Sequence, residues 1–527
     1  MVVPSGQELP EKEKLMRKWW PLVTVCLGTF MLLIDVTIVN VALPQMAGDL
    51  KTSFNSLQWV VDGYALSLGV LLLGAGALGD MFGHRRLYIG GLALFALSSL
   101  ACGVATDSAL LITARVVQGV GAAAMFTTTF ALLNSSYQGR ERGAAYGIWG
   151  GVSGAAAAIG PILGGLLTEA FSWRWIFLVN LPISVLAIVM CFLVLAPDGK
   201  RQPGRFDLAG TVTFTIAATA LTLAVIRAND EGWSSLQTWG LIVLSVVALT
   251  GFVLIQWRSP HAMFDLGLLR NRSFTGILIA ALLVNFAAFA AFTYTSIWLQ
   301  SIIGLTPLQA GLTGLAVSVC SVAASGIVGA RFHGRSPRLI IGSGMLLIAL
   351  GSLLSALLVR SGSSWPALQP GYALIGIGVG MVMPTLASSA MSAVPARRGG
   401  MAAGSLTTAR QLGYAIGIAV LGTAFAGRAS SYLGAHGAPS PDATAHGLAA
   451  GQAGRILQSV PASSRATVSE AFHGAAAAGL DVGFAVAGGV GLLGALAVFL
   501  LVRPAAARPQ HGPEQSREQT PTPSAVA

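Results

Sequence analysis

Ile34-Asp35-Val36-Thr37-Ile38-Val39-Asn40-Val41-Ala42-Leu43-Pro44 sits inside an apolar run covering residues 19–43. That run is long enough to cross a bilayer as one helix. A carboxylate at such a depth is costly and marks function; proton carriage is one reason to keep it. The rest of the chain reads as the machine around Asp35.

The composition points the same way. The chain has 527 residues, of which 54% are hydrophobic and 10% charged. A soluble chain of ordinary composition carries about 25% charged residues. Low charge with repeated long apolar runs describes a polytopic, all-α membrane protein. The 65 glycines fit, because glycine lets membrane helices approach closely. A net charge of +11 would suit a nucleic-acid binder, but the basic residues cluster in alternate loops between apolar runs. With no soluble basic domain, no nucleic-acid partner is expected. Cys26, Cys102, Cys191 and Cys320 each stand alone in an apolar run, without metal-site or disulfide spacing. The first 18 residues are polar and the first apolar run exceeds a signal-peptide core, so that run reads as a retained anchor.

About fourteen segments have bilayer length. They are 19–43, 57–78, 87–105, 110–133, 143–167, 175–195, 208–226, 236–257, 274–299, 309–330, 339–358, 372–393, 401–426 and 482–502. One set of alternate loops carries His84-Arg85-Arg86, Arg140 and Arg142, Lys200-Arg201 with Arg205, Arg258 with Arg270 and Arg272, Arg331 with Arg335 and Arg338, and Arg397-Arg398. The opposite loops carry little: Lys51, Arg174, Arg227 and Arg360. The positive-inside rule then puts both termini in the cytoplasm, as an even span count requires. The expected layout is a cytoplasmic tail at 1–18, a six-helix half at 19–196, two extra spans at 206–258, a second six-helix half at 272–502 and a disordered cytoplasmic tail at 503–527. Within the second half, residues 427–480 form a long Ala-, Gly-, Ser- and Pro-rich loop, expected outside the cytoplasm with little fixed structure beyond short helices.

An internal repeat supports the two halves. An offset of about 257 residues lays Gly119 and Gly121 on Gly376 and Gly378, Arg140 on Arg397, Gly147 on Gly404 and Gly165 on Gly422. The pair at 208–226 and 236–257 has no counterpart in the repeat.

Four further stretches carry chemistry. Gly76-Ala77-Leu78-Gly79-Asp80-Met81-Phe82-Gly83-His84-Arg85-Arg86 follows the second span. There Gly79 and Gly83 permit a tight bend, and Asp80 can accept from amides at a helix start or pair with an Arg. Such a cluster, with Arg85 and Arg86, could latch the two halves together; the alternative is a positive-inside loop with a helix cap. The fourth span holds Leu111, Arg115, Gln118, Gly119, Gly121 and Ala122. The fifth holds Gly150, Gly154 and Gly160-Pro161-Ile162-Leu163-Gly164-Gly165, a small-residue face with a proline to break the ladder, suited to close packing and bending. Trp173-Arg174-Trp175-Ile176-Phe177-Leu178-Val179-Asn180-Leu181-Pro182 follows. In this order, with the span count, these motifs resemble the fourteen-span drug:proton antiporters of the major facilitator superfamily. The resemblance implies the major facilitator fold and export by antiport. The second half resembles the family in span pattern and in Arg410-Gln411-Leu412-Gly413; its equivalent of the latch loop keeps Arg331, Gly334 and Arg335 but lacks the Asp, so the latch is expected to be asymmetric.

Arg115 lies within a span and needs a partner or a water-filled cavity; Asp35 and Asp62 are the plausible counter-charges. Asp62 near the outer end of span two is either a cap or a second proton carrier. Candidate cavity residues are Phe30, Gln118, Trp149, Asn285, Phe289, Tyr294, Trp298, Met381, Met383, Arg410 and Gln411, since aromatic and Met side chains accommodate varied organic molecules. No Asp or Glu occurs from Phe274 through Ala426, which argues against strongly dicationic substrates. No Gly-x4-Gly-Lys-[Ser/Thr] loop, catalytic triad or metal cluster is present, so direct ATP drive and enzymatic chemistry are not expected. The reading is a monomeric, cofactor-free, proton-driven exporter of hydrophobic or amphipathic small molecules in the cytoplasmic membrane. Its alternatives are a major facilitator exporter of a specific metabolite and a non-transporting membrane sensor.

Overall fold

The computed structural model describes residues 11–52, 54–198, 206–231, 235–259, 262–331, 335–395 and 398–503. Lys200, Arg201, Arg205, Gly334 and Arg397 lie outside the described residues, as do the side chains of Arg140, Gly154 and Pro161. The described chain is helical, without strands. Fourteen long helices run in order: α1 Glu11–Asp49, α2 Phe54–Phe82, α3 His84–Gly103, α4 Ser108–Ser136, α5 Gly139–Ala170, α6 Asn180–Val194, α7 Leu208–Glu231, α8 Leu236–Arg258, α9 Arg272–Ile302, α10 Leu315–Arg331, α11 Pro337–Leu358, α12 Gln369–Ser392, α13 Gly399–Ala435 and α14 Arg465–Leu501. Among the described residues, 12 helices are long and apolar enough to cross a membrane; α5 is not among them, and in α10 the apolar part, Leu315–Gly329, is shorter.

Helices α1–α6 pack chiefly on one another, and so do α9–α14. The two groups meet along two seams, α2 on α13 and α5 on α10, while α8 packs on α7 and α7 leans on α2 and α13. In α8 only Thr238, Ser245, Phe252 and Gln256 are buried, and Val243, Val246 and Val247 point outward. An apolar helix so exposed needs lipid around it.

The repeated glycines occupy equivalent seats. A methyl at Gly119 would meet Tyr64 O of α2 at 2.6 Å, and one at Gly121 would meet Gly91 O of α3 at 2.8 Å. At the matching positions of α12, Gly376 faces Val317 O of α10 at 2.5 Å and Gly378 faces Gly344 O of α11 at 2.5 Å. Gly147 of α5 sits against Ser325 O of α10, and Gly404 of α13 against Leu72 O of α2. Glycine is required where two backbones come this close.

Two expectations change, and one helix holds a feature the sequence does not announce. The segment 427–480 is mostly helical: α13 runs on to Ala435, α14 starts at Arg465, and helices Pro441–Ala449 and Ala453–Ser459 lie between. Alanine is the strongest helix former, and it dominates this segment. Helix α5 passes Pro161 as one element rather than breaking there. Helix α9 is not uniform: Asn285–Ala290 and Trp298–Ile302 are π-helical.

Candidate functional site

Asp35 is fully buried inside the first helical group, and so is Arg115. Arg115 Nη1 donates to Asp35 Oδ2 at 2.5 Å and to Gln118 Oε1 at 2.8 Å. Its Nε donates to Val60 O at 2.9 Å, and its guanidinium lies 4.1 Å from the centre of the Tyr64 ring. The other carboxylate oxygen, Oδ1, accepts from Gln118 Nε2 at 3.2 Å and Asn180 Nδ2 at 3.1 Å. Both amides also donate to Ser99 Oγ, at 2.6 and 3.2 Å. Five helices, α1, α2, α3, α4 and α6, thus converge on one carboxylate. Every group around Asp35 is a donor, and a protonated carboxyl would have to give one of them up.

Of the expected proton-site residues, Asp35 and Arg115 come together as an ion pair. Asp62 is partly exposed on α2, beyond Val60. Gln118, expected in a cavity, belongs to the Asp35 network instead. Tyr64, Ser99 and Asn180 were not singled out from the sequence. Asn180 stood in the fifth quoted stretch as a polar residue next to an apolar run, which was a usable signal; Ser99 and Tyr64 gave none.

A cavity of about 600 Å³ lies between the two groups. Leu33 and Thr37 of α1 line it, one residue either side of the Val36 and Ile34 that flank Asp35. Successive helical residues are 100° apart, so Asp35 faces the opposite way, into its own helical group. Trp149, Phe289, Met383 and Arg410 line the cavity as expected, with Gly150, Phe292, Ser318, Ser321, Ser325 and Tyr372. Trp149 is fixed by donating Nε1 to Thr29 Oγ1 at 3.0 Å. Besides Gln118, six expected lining residues are elsewhere, Asn285 among them. Tyr294 donates to Ile418 O and stacks on Phe425; Trp298 is 1% exposed; Gln411 faces Gly69 of α2; Phe30 packs in the first group's core; Met381 does not reach the cavity. Asn285 sits behind the wall, taking Arg410 Nε at 3.4 Å.

The α2–α3 turn holds the latch candidates. Asp80 Oδ1 accepts from Gly400 N at 2.8 Å and Oδ2 from Met401 N at 2.9 Å. Asp80 therefore caps α13, a helix of the other group, where the helix dipole favours an anion. Beneath it a methyl on Gly76 would lie 2.2 Å from Gly400 O, and one on Gly400 the same distance from Gly76 O. His84 Nε2 lies 3.3 Å from Asp80 Oδ1, and a methyl on Gly79 would meet His84 Nδ1 at 2.8 Å. Gly83 has φ +103°, which glycine alone adopts cheaply, and a side chain there would strike Asp198. Arg85 and Arg86 do not pair with Asp80: their amides donate to Asp198 at 2.9 and 3.0 Å, and the Arg85 side chain caps Cys191 O and Phe192 O. Asp198 was not read from the sequence. Arg398, next to the latch, pairs with Asp265 and holds that carboxyl below its usual range. That pair stays charged at any physiological pH and supplies no proton switch. The other seam brings Gly329 against Gly143 O at 3.1 Å with no carboxylate between the described residues there.

In α5, the small residues face two ways. A methyl on Gly160 would meet Thr37 Oγ1 at 1.8 Å, and one on Gly164 would meet Ile38 O at 2.8 Å, while Gly165 has nothing within 4 Å. Gly150 faces Ser325 of α10. Neighbouring substitutions are therefore expected to act oppositely. Gly164→Ala should destabilise by about 1–3 kcal/mol, because the clash is with backbone. Gly165→Ala should be neutral or stabilise by about 0.5–1 kcal/mol through helix propensity. Thermal unfolding of both variants in detergent checks this, and equal shifts would contradict the packing.

Comparison with known proteins agrees with this architecture. The family model for the Major Facilitator Superfamily matches residues 25–418. The chain is 36% identical over 416 residues to "Multidrug resistance protein Stp" of Mycobacterium tuberculosis (strain CDC 1551 / Oshkosh), covering 79% of this chain and 77% of that protein. It is 32% identical to "Tetracenomycin C resistance and export protein" of Streptomyces glaucescens, covering 99% of this chain and 98% of that one. Among solved structures, the proton:xylose symporter XylE bound to 6-bromo-6-deoxy-D-glucose superposes with a TM-score of 0.59 at 13% identity, over 93% of this chain and 97% of that one. That last likeness concerns the fold.

Proposed function

This chain belongs to the Major Facilitator Superfamily, and from that premise we propose that it exports hydrophobic or amphipathic small molecules from the cell in exchange for protons entering through Asp35. It is a multi-pass membrane transporter and not an enzyme. Relatives named for multidrug resistance and for resistance and export support the direction and the substrate type. One observation carries the mechanism: a fully buried carboxylate, bound by Arg115, Gln118 and Asn180, stands back to back with a drug-sized cavity across α1.

Two neighbouring α1 residues on the cavity face, Leu33 and Thr37, move with the helix that carries Asp35. Protonation removes the counter-charge of a buried Arg, which costs several kcal/mol unless the helices rearrange. A rearrangement of α1 against α4 and α6 would reshape the cavity wall. Substrate and proton are then linked through one helix, and alternating access follows as the two groups rock about the seams. The latch at Asp80 closes one end; positive loops put that end in the cytoplasm and both termini with it. The structure is then the state closed to the inside. Both α5 and α10 belong to the crossing set in this reading: each lies along a seam between spanning helices, which gives fourteen crossings. The transporter works as a monomer and needs no cofactor beyond the proton gradient.

The test is proton movement in proteoliposomes loaded with a pH dye. Antibiotics and lipophilic compounds added on the substrate side should elicit proton flux with wild-type protein and none with empty vesicles. Folded protein that moves substrate without moving protons would refute antiport.

A further inference from the structure

We propose that the exported molecule is an organic anion, a flat aromatic body bearing a carboxylate or an ionised phenolic or enolic oxygen, with its charge seated on Arg410. This rests on the export reading above and specifies its substrate.

Arg410 lines the cavity from α13. Its described polar contact is a long one, Nε to Asn285 Oδ1 at 3.4 Å. Lys18–Glu141, His84–Asp80, Arg115–Asp35, Arg174–Asp49 and Arg398–Asp265 are ion pairs among the described residues, and none of them includes Arg410. The sequence explains this: no Asp or Glu occurs between Asp265 and Asp442, the stretch that builds α9 to α13. The elements around the cavity from the first group, α1 and α5, present Leu33, Thr37, Trp149 and Ser153 there, none of them acidic. Arg115 has its carboxylate; Arg410 does not. A cation in a largely apolar site without an acid is costly, and a site keeps one where a ligand supplies the opposite charge. Arginine also offers a fork of donors that matches a carboxylate or a pair of oxygens.

The remaining walls describe the body of the ligand. Trp149, Phe289, Phe292 and Tyr372 supply aromatic faces; Ser318, Ser321 and Ser325 form a hydroxyl row on α10 at spacings of three and four, the period of one helix face. A planar ring system with oxygens along one edge fits that division. A cationic ligand would meet Arg410 with nothing to neutralise it.

The charge balance has a consequence. If one proton enters for each monoanion that leaves, two positive charges move inward per cycle. An inside-negative potential then drives export, whereas exchange of a monocation for a proton is electroneutral.

The experiment uses three matched probes: 9-anthracenecarboxylate, its carboxamide and 9-anthracenylmethylammonium. Binding to purified full-length protein is read by fluorescence, and transport by pH dye in proteoliposomes with a set potassium diffusion potential. We expect the carboxylate to bind at least about 10-fold tighter than the other two, in keeping with a charge-assisted pair. Arg410→Gln should abolish that preference, and Arg410→Lys should keep part of it. Arg410→Gln should unfold at or above the wild-type temperature, because no carboxylate loses its partner. Equal binding of the three probes, a preference that survives Arg410→Gln, or no binding of the carboxylate would overturn the anion assignment. Binding of the carboxylate without proton flux would sink the antiport reading and leave the anion assignment standing. Proton flux driven by the ammonium probe and indifferent to Arg410→Gln would do the reverse.

Discussion

Asp35→Asn is expected to cut proton-coupled export by about 100-fold or more, while substrate-for-substrate exchange remains measurable. The substitution keeps size and one acceptor but cannot take up and release a proton. It also leaves Arg115 buried without its counter-charge, and removing one partner of such a pair costs about 3–5 kcal/mol. A loss of activity by Asp35→Asn alone would therefore mix two effects. The double variant Asp35→Asn with Arg115→Gln separates them: it removes both charges, so thermal stability should return towards wild type while coupling stays lost. Exchange between labelled and unlabelled substrate in proteoliposomes needs no net proton and reports a working cavity. If the double variant regains proton-coupled export, Asp35 is a structural ion-pair member and the proton travels elsewhere.

Asp80→Asn is expected to loosen the end of the bundle where α2 and α13 meet. Each carboxylate oxygen takes one amide from the first turn of α13. Hydrogen bonds to a charged acceptor contribute about 1.5–3 kcal/mol each, and an amide side chain retains one acceptor without the charge. A net loss of about 2 kcal/mol moves a two-state equilibrium roughly 30-fold. Spin labels at Phe82 and Leu339, both exposed near this end on different helical groups, would report it as a second, longer distance by electron double resonance. An unchanged distance distribution would mean that Asp80 merely caps α13 and holds nothing shut. Gly76→Val should give the same opening by a different route, since its side chain cannot share the space with Gly400 O.

Much of this molecule can be read from its sequence, and the reasons differ by feature. Long apolar runs broken by arginines mark the helices because the bilayer demands that length. The glycines at offset 257 mark the repeat because backbone contact excludes other residues, and the structure seats Gly119, Gly121 and Gly147 as it seats Gly376, Gly378 and Gly404, while Gly165 faces open space. Asp35 and Arg115 stand out because charge is rare at that depth. Ser99 and Tyr64 do not stand out, since a hydroxyl in an apolar helix is commonplace and its partner is set by tertiary packing. The latch loop shows the same limit. Asp80 is conspicuous, yet its partners are backbone amides 320 residues away, which carry no letter in the sequence. Arg85 and Arg86 suggest a charge pair with Asp80, but Asp198 takes their amides instead. Cavity lining was the least legible: on helices this apolar, a Trp or Tyr faces cavity, neighbour or lipid according to rotation, and a few tens of degrees send Trp298 inward and Phe289 to the cavity.

Helix α9 carries the cavity residues Phe289, Phe292 and Ser296 on a backbone with two π turns, at Asn285–Ala290 and Trp298–Ile302. A π turn is an α turn with one residue too many, accommodated without breaking the helix. Loss of a single codon within 285–290 would let the segment relax to ordinary α-helix and leave all that follows on its present face, whereas the same loss from an ordinary α-helix rotates the remainder by about 100°. Phe292 and Ser296 would keep their places on the cavity wall, and the change would be confined to the turn that carries Phe289. This stretch of α9 can therefore absorb a one-codon deletion, a mutational class that most helices cannot survive.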